Sequence, residues 1–133
     1  MWSVVANALS ANRLPTNANA LYVVLTSPSV TITSGFCSAY CGWHYYSSYT
    51  SGAVSTEVKF MVIGNSATQC PSGCSMGGSV SPNGDVGVDG MLSVVAHEIV
   101  EALSDPTVNG WRDAAGWENA DKCAWCVGAA VPL

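Results

Sequence analysis

The chain has 133 residues, of which 49% are hydrophobic and only 10% charged, with a formal net charge of −5. That length and apolar content predict one globular domain over residues 1–133 with a buried core, and they exclude a disordered chain. The acidic balance and the lack of any Lys/Arg cluster argue against nucleic acid and against anionic membrane surfaces as partners. No apolar run approaches the roughly 20 residues that a membrane helix needs.

Met1 to Leu9 has no basic start, so it does not read as a signal peptide. Within it Trp2, Val5, Ala6 and Leu9 share one helical face, which predicts a short amphipathic helix ended by the Asn12 to Asn19 stretch. Leu21 to Thr26 is a continuous apolar, β-branched run and reads as a buried strand. Val30 to Thr33 alternates and predicts a second, half-exposed strand. Gly42 to Tyr46 and Val58 to Gly64 predict two more, followed by a Gly/Ser/Pro-rich connector from Ser66 to Gly90.

Six cysteines fall as three local pairs, Cys37/Cys41, Cys70/Cys74 and Cys123/Cys126. Six cysteines allow about 15 connectivities, and spacing does not choose among them. Only Cys123/Cys126 has the two-residue gap usual in zinc sites, so disulfides are expected at all six, with no free thiol. That implies an oxidising compartment and a secreted, extracellular protein. Together with the missing signal, it suggests a chain lacking an upstream N-terminal region.

A helix is predicted from Asp89-Gly90, either of which can cap it, to Asp105 before Pro106, with Met91, Leu92, Val94, Val95, Ile99, Ala102 and Leu103 as its core stripe. It carries His97-Glu98-Ile99-Val100-Glu101, the HExxH metallohydrolase arrangement with Glu in place of the second His. Residues i and i+4 share a helix face, so His97 and Glu101 are candidate ligands for one divalent ion, zinc first. Glu98 beside them is the candidate general base on a metal-bound water.

The acids support a cation. Asp85, Asp89, Glu98, Glu101, Asp105, Asp113, Glu118 and Asp121 crowd one window in which only Arg112 opposes them, whereas Glu57 is the sole acid before it. Carboxylates gathered in a poorly solvated site repel one another unless a cation sits among them. The spacing favours Asp121 as third ligand and leaves Glu118 as an alternate ligand or a residue supporting one. Asp113 is weaker and is expected to pair with Arg112. Asp85 and Asp89 could hold Ca²⁺, although turn chemistry explains them equally well.

His44 lies among aromatics, where a hydrogen-bonded core histidine is the usual outcome. Facing the helix, it would be a fourth ligand or a transition-state donor. Trp43, Tyr45, Tyr46 and Tyr49 more often pack a core than line a sugar-binding surface.

The segments Leu21 to Ser27, Gly35-Phe36-Cys37 with Cys41-Gly42-Trp43-His44, Gly64-Asn65-Ser66 with Gln69-Cys70-Pro71 and Cys74, and Pro82 to Met91, followed by Ala96-His97-Glu98 and Asp105-Pro106, carry a resemblance. Over about Leu21 to Cys123 the chain is similar to the plant phosphate-induced/EXORDIUM-like family of secreted proteins. The resemblance implies an extracellular or cell-wall protein and transfers no catalytic activity. It also implies a signal and a strand-bearing region upstream.

The expected fold is α+β: a small twisted, disulfide-stabilised sheet packed on the motif helix, zincin-like in outline. The expected function is that of a secreted zinc-dependent hydrolase of the peptidase type, acting on a peptide or cell-wall component. The competing expectation is a non-catalytic extracellular binding or signalling protein with a structural metal. The oligomeric state is left open.

Overall fold

The computed structural model describes residues 1–75, 81–124 and 126. Helix α1 (Trp2–Ser10) buries Val5 and Leu9, one turn apart, and the chain leaves it through Asn12 at φ 52°. Strands β1 (Leu21–Leu25), β2 (Gly42–Ser51) and β3 (Val54–Ile63) form one sheet in the order β1-β3-β2, with β1 parallel and β2 antiparallel to β3. The β2–β3 hairpin turns at Gly52-Ala53 with Gly52 at φ 59°, the glycine-first geometry of a tight two-residue loop.

β3 explains why the sheet has helices on both sides. Its residues alternate between two cores: Val58, Phe60 and Val62 pack with Val5 and Leu9 of α1, while Met61 and Ile63 pack with Met91 and Val94 of helix α2 (Val86–Ser104). A central strand covered on both faces reads as a continuous apolar run, which Val58 to Ile63 does except at Lys59. The fold is therefore a small α+β domain, a three-stranded sheet between two helices.

A third cluster, Ile32, Phe36 and Cys74, lies in the loops and is stapled by two disulfides. The cysteines do not close locally. Cys37 joins Cys70 and Cys41 joins Cys74, so two CxxxC turns are laid side by side, while Cys123 and Cys126 are exposed and unpaired. The expectation of no free thiol thus fails at that last pair.

Three further expectations need correction. Val30 to Thr33 is not a strand, because the Gln69 amide takes the place of a strand partner: it accepts from the Ile32 N–H at 3.0 Å and donates to the Ile32 carbonyl at 2.8 Å. α2 begins a turn earlier than expected, capped by Asp85, whose carboxylate accepts from the Val88 N–H. At Gly90 a Cβ would stand 2.7 Å from the Cys74 carbonyl oxygen, so glycine there permits the close approach of helix and disulfide loop.

The buried stripe of α2 is also not the expected one. It runs through Gly87, Gly90, Met91 and Val94 and then through Glu98 and Glu101, each only 4% exposed, while Leu103 is 80% exposed and Leu92 and Ile99 face outward. The helix face turned to the sheet changes from apolar to acidic halfway along.

Candidate metal centre

The acidic half of α2 faces the start of β2. Gly42 there packs against Val94 and Ile63 so closely that a Cβ would meet both, which brings His44, two residues on, down onto Glu98 and Glu101. His44 is buried. Its Nδ1 lies 3.2 Å from Glu98 Oε2 and 3.7 Å from Glu101 Oε2, and its Nε2 lies 3.0 Å from the Asp105 carbonyl and 3.6 Å from Glu118 Oε1. Burial works against a charged ring, but the Glu98 hydrogen bond, the Asp105 carbonyl and the nearby Glu118 charge outweigh it and hold the His44 pKa above its usual value.

His97 stands on the outer side of Glu101. Its Nε2 is 2.9 Å from Glu101 Oε1 and 3.4 Å from Asp121 Oδ1. The Glu101 carboxylate raises its pKa against the opposing effect of burial, helped by the charges of Glu98 and Asp121. His97 pairs with Glu101 Oε1 at 2.9 Å, yet neither that buried oxygen nor Glu118 Oε1 has a hydrogen-bond partner of good geometry. His97, Glu101 and Asp121 offer donor atoms within 4.8 Å of one another, as a metal ligand set does.

Asp121 and Glu118 come from the 3₁₀ turn Asp121–Cys123 and the loop before it, not from a second α-helix. Asp113 organises that loop. Its carboxylate accepts from the backbone N–H groups of Ala115 and Trp117 and pairs with Lys122, so it does not pair with Arg112 as the sequence suggested. Asp121 Oδ2 in turn accepts from the Glu118 N–H at 3.1 Å, which fixes the two acids relative to each other. Burial, and then the Glu101 charge, push the Glu118 carboxyl up.

Asp105 is the residue that sequence reasoning passed over. Its carboxylate is wholly buried and accepts from the Gly110 N–H and from Arg112 Nε at 3.0 Å. Burial alone would raise its pKa, but these donors hold it below the usual carboxylate value. Arg112 also reaches Glu118 Oε2 at 3.6 Å. The signal was present in the sequence: a carboxylate at a helix end just before proline, followed by a glycine and an arginine.

Together Gly42, Trp43, His44, His97, Glu98, Glu101, Val108, Arg112, Glu118 and Asp121 line a cleft of about 280 Å³. His97, Glu101, Asp121 and Glu118 and the candidate base Glu98 are therefore in one place, with His44 added. Glu98 differs from expectation in being buried against His44. Asp85 and Asp89 lie elsewhere and have turn roles, Asp89 accepting from Ser81 and Asn83. The aromatic run splits: Trp43 packs edge-on to Phe60 at 5.6 Å, Tyr49 joins the same core, and Tyr45 stacks on Tyr46. Among the described residues no helix is long and apolar enough to cross a membrane.

Comparisons with known proteins give the same family over most of the chain. The chain is 37% identical to Protein EXORDIUM-like 3 of Arabidopsis thaliana over 91% of its length, and 36% identical to Protein EXORDIUM of the same plant over 79%. It is 30% identical to Protein PHOSPHATE-INDUCED 1 of Nicotiana tabacum over 83%. It spans 40%, 37% and 39% of those proteins respectively. No solved structure matches it. The family model for the phosphate-induced protein 1 conserved region matches residues 2–131, and the chain belongs to that family.

Proposed function

We propose that the protein is an extracellular metal-binding protein with its metal centre on His97, Glu101 and Asp121. The observation that carries this reading is Glu101 Oε1, a buried carboxylate oxygen without a well-directed hydrogen bond, 2.9 Å from His97 Nε2, which itself lies 3.4 Å from Asp121 Oδ1. Burying a carboxylate costs several kcal/mol, and the His97 contact at 2.9 Å offsets part of it. A divalent ion offsets that cost and ties the Asp113 to Cys123 loop to α2. One imidazole and two carboxylates suit Zn²⁺ and also Mn²⁺. The two disulfides support an oxidising, extracellular setting.

The test is metal analysis of protein purified without chelator, followed by hydrogen exchange after chelation. Bound zinc or manganese that is lost with Glu101→Gln, and faster exchange in 113–123 once it is removed, are the expected results. Protein that carries no divalent ion and exchanges identically with and without chelator would remove the reading.

A second reading, a zincin-like hydrolase of the peptidase type, draws on Glu98, which lines the same cleft as the ligand set. Zinc there would supply Lewis acidity to a bound water, and Glu98 would hold the proton taken from it. Its hydrogen bond to His44 gives Glu98 a structural task instead, which is why we place this reading second. Glu98→Gln would cost about 10² to 10⁴ in turnover on a peptide or cell-wall substrate if it holds. Equal cleavage by wild type and variant excludes it.

A further inference from the structure

We propose that this cleft holds two divalent cations bridged by Glu101, the second of them on His44, Glu101 and Glu118. The inference rests on the reading of His97, Glu101 and Asp121 as a metal centre and adds a neighbouring position to it.

The donor atoms do not converge on one point. They form two groups, His97 with Glu101 and Asp121, and His44 with Glu101 and Glu118, and Glu101 is the member common to both. It divides its oxygens between them: Oε1 faces His97 Nε2 at 2.9 Å, and Oε2 faces His44 Nδ1 at 3.7 Å. A carboxylate that offers one oxygen to each side is suited to bridge two ions about 3.5 to 4 Å apart, the separation of two-metal sites. A single ion beside His97 would leave Glu118 Oε1 without a partner and His44 wedged among acids.

The spacings also fit. Donor atoms bonded at about 2.1 Å to one tetrahedral ion stand about 3.4 Å from one another. The contacts of the first group are 2.9 and 3.4 Å, both from His97 Nε2. His44 approaches Glu101 through Nδ1 at 3.7 Å and Glu118 through Nε2 at 3.6 Å, and one donor atom from each of these three residues lies within 4.8 Å of the other two, so one of the two nitrogens serves the ion. Each group contains a buried carboxylate oxygen that no hydrogen bond satisfies, Glu101 Oε1 in one and Glu118 Oε1 in the other, and the Glu101 side chain is only 5% exposed.

His44 is held as a ligand needs to be. Its Nδ1 edge faces Glu98 at 3.2 Å and its Nε2 edge faces the Asp105 carbonyl at 3.0 Å. Whichever nitrogen binds the ion, the other keeps an acceptor, and an acceptor on the far nitrogen fixes the ring and tautomer of a metal-bound histidine. Asp105 and Glu98 are then positioning residues for the second ion. Two imidazoles among carboxylates select Zn²⁺ or Mn²⁺ over Ca²⁺, which prefers oxygen alone.

The experiment uses the 133-residue chain with its disulfides intact, stripped by chelator and titrated with Zn²⁺ or Mn²⁺, with ions per chain counted by native mass spectrometry. Two ions are expected for the wild type. Glu118→Gln and His44→Gln should each keep one ion and bind the second at least about tenfold more weakly. Glu101→Gln should weaken both. With Mn²⁺, electron paramagnetic resonance should show the exchange coupling of two bridged ions in the wild type and lose it in Glu118→Gln, a variant at the partly open side of the cleft that guards against misfolding of His44→Gln. One ion per chain in the wild type overturns the second position and leaves the first. No bound ion overturns both. Two ions without exchange coupling, or a second ion held at full affinity in Glu118→Gln and His44→Gln alike, also overturns the proposal.

Discussion

His44 Nδ1 lies 3.2 Å from Glu98 Oε2, so a strand residue and a helix residue 54 positions apart meet in a buried contact at the centre of the cleft. Neither would be stable there alone. The histidine supplies a charge or a donor to a carboxylate that has left solvent, and the carboxylate orients the ring.

The metal-free protein should lose stability as pH rises through neutrality. His44 and His97 both have folded pKa values above the unfolded value of about 6.5, so their contribution is complete below that pH and disappears as pH rises through the folded values. Glu118, also raised, acts in the same direction at lower pH, whereas the depressed Asp105 contributes above about pH 3.9 and is lost as pH falls through its folded value. Added Zn²⁺ should reverse the trend near neutrality, since it competes with protons for the histidines. Melting temperatures from roughly pH 5 to 8, with and without chelator, check this. A chelated protein that melts higher at pH 8 than at pH 6 contradicts it.

Asp105→Ala should be among the most damaging single changes. It removes a wholly buried acceptor from the Gly110 N–H and from Arg112, whose side chain is 40% exposed, and the lost charge-assisted hydrogen bonds cost about 1.5 to 3 kcal/mol. Asp105→Asn keeps an acceptor and should cost less. Urea unfolding measures both, and a loss below about 1 kcal/mol for alanine would show that Asp105 does not hold the loop.

Peptide mapping without reduction should find Cys37 linked to Cys70 and Cys41 to Cys74, with Cys123 and Cys126 open to alkylation. Each bond closes a separation of 33 residues. Loop-closure entropy for that length gives about 3 to 4 kcal/mol per bond, so replacing one pair by serine should lower stability by that order. Links within Cys37/Cys41 or Cys70/Cys74 would refute the pairing.

Local pattern made the elements legible where one face decides: Val5 and Leu9 mark α1, Leu21 to Leu25 marks β1, and the i, i+4 spacing of His97 and Glu101 marks the ligand face of α2. What the pattern hid depends on long-range contacts. Apolarity put Ile99 and Leu103 in the core, but the sheet meets α2 on the side of Glu98 and Glu101 and leaves those two outside. Ile32 looked like a strand residue until Gln69 supplied its partner from 37 positions away. The crossed disulfides and the approach of His44 to Glu98 and Glu101 belong to the same class, since spacing along the chain carries no information about which turn lies beside which. Asp105 was visible as a helix end and hidden as a buried acceptor.

The most direct test of a metal centre on Glu101 is zinc-edge X-ray absorption on protein loaded with one equivalent of Zn²⁺. The predicted result is a shell of nitrogen and oxygen alone at about 2.0 to 2.2 Å, with the outer scattering of imidazole, and its loss in Glu101→Gln. Sulfur at about 2.3 Å would place the ion on Cys123 and Cys126 and contradict the account.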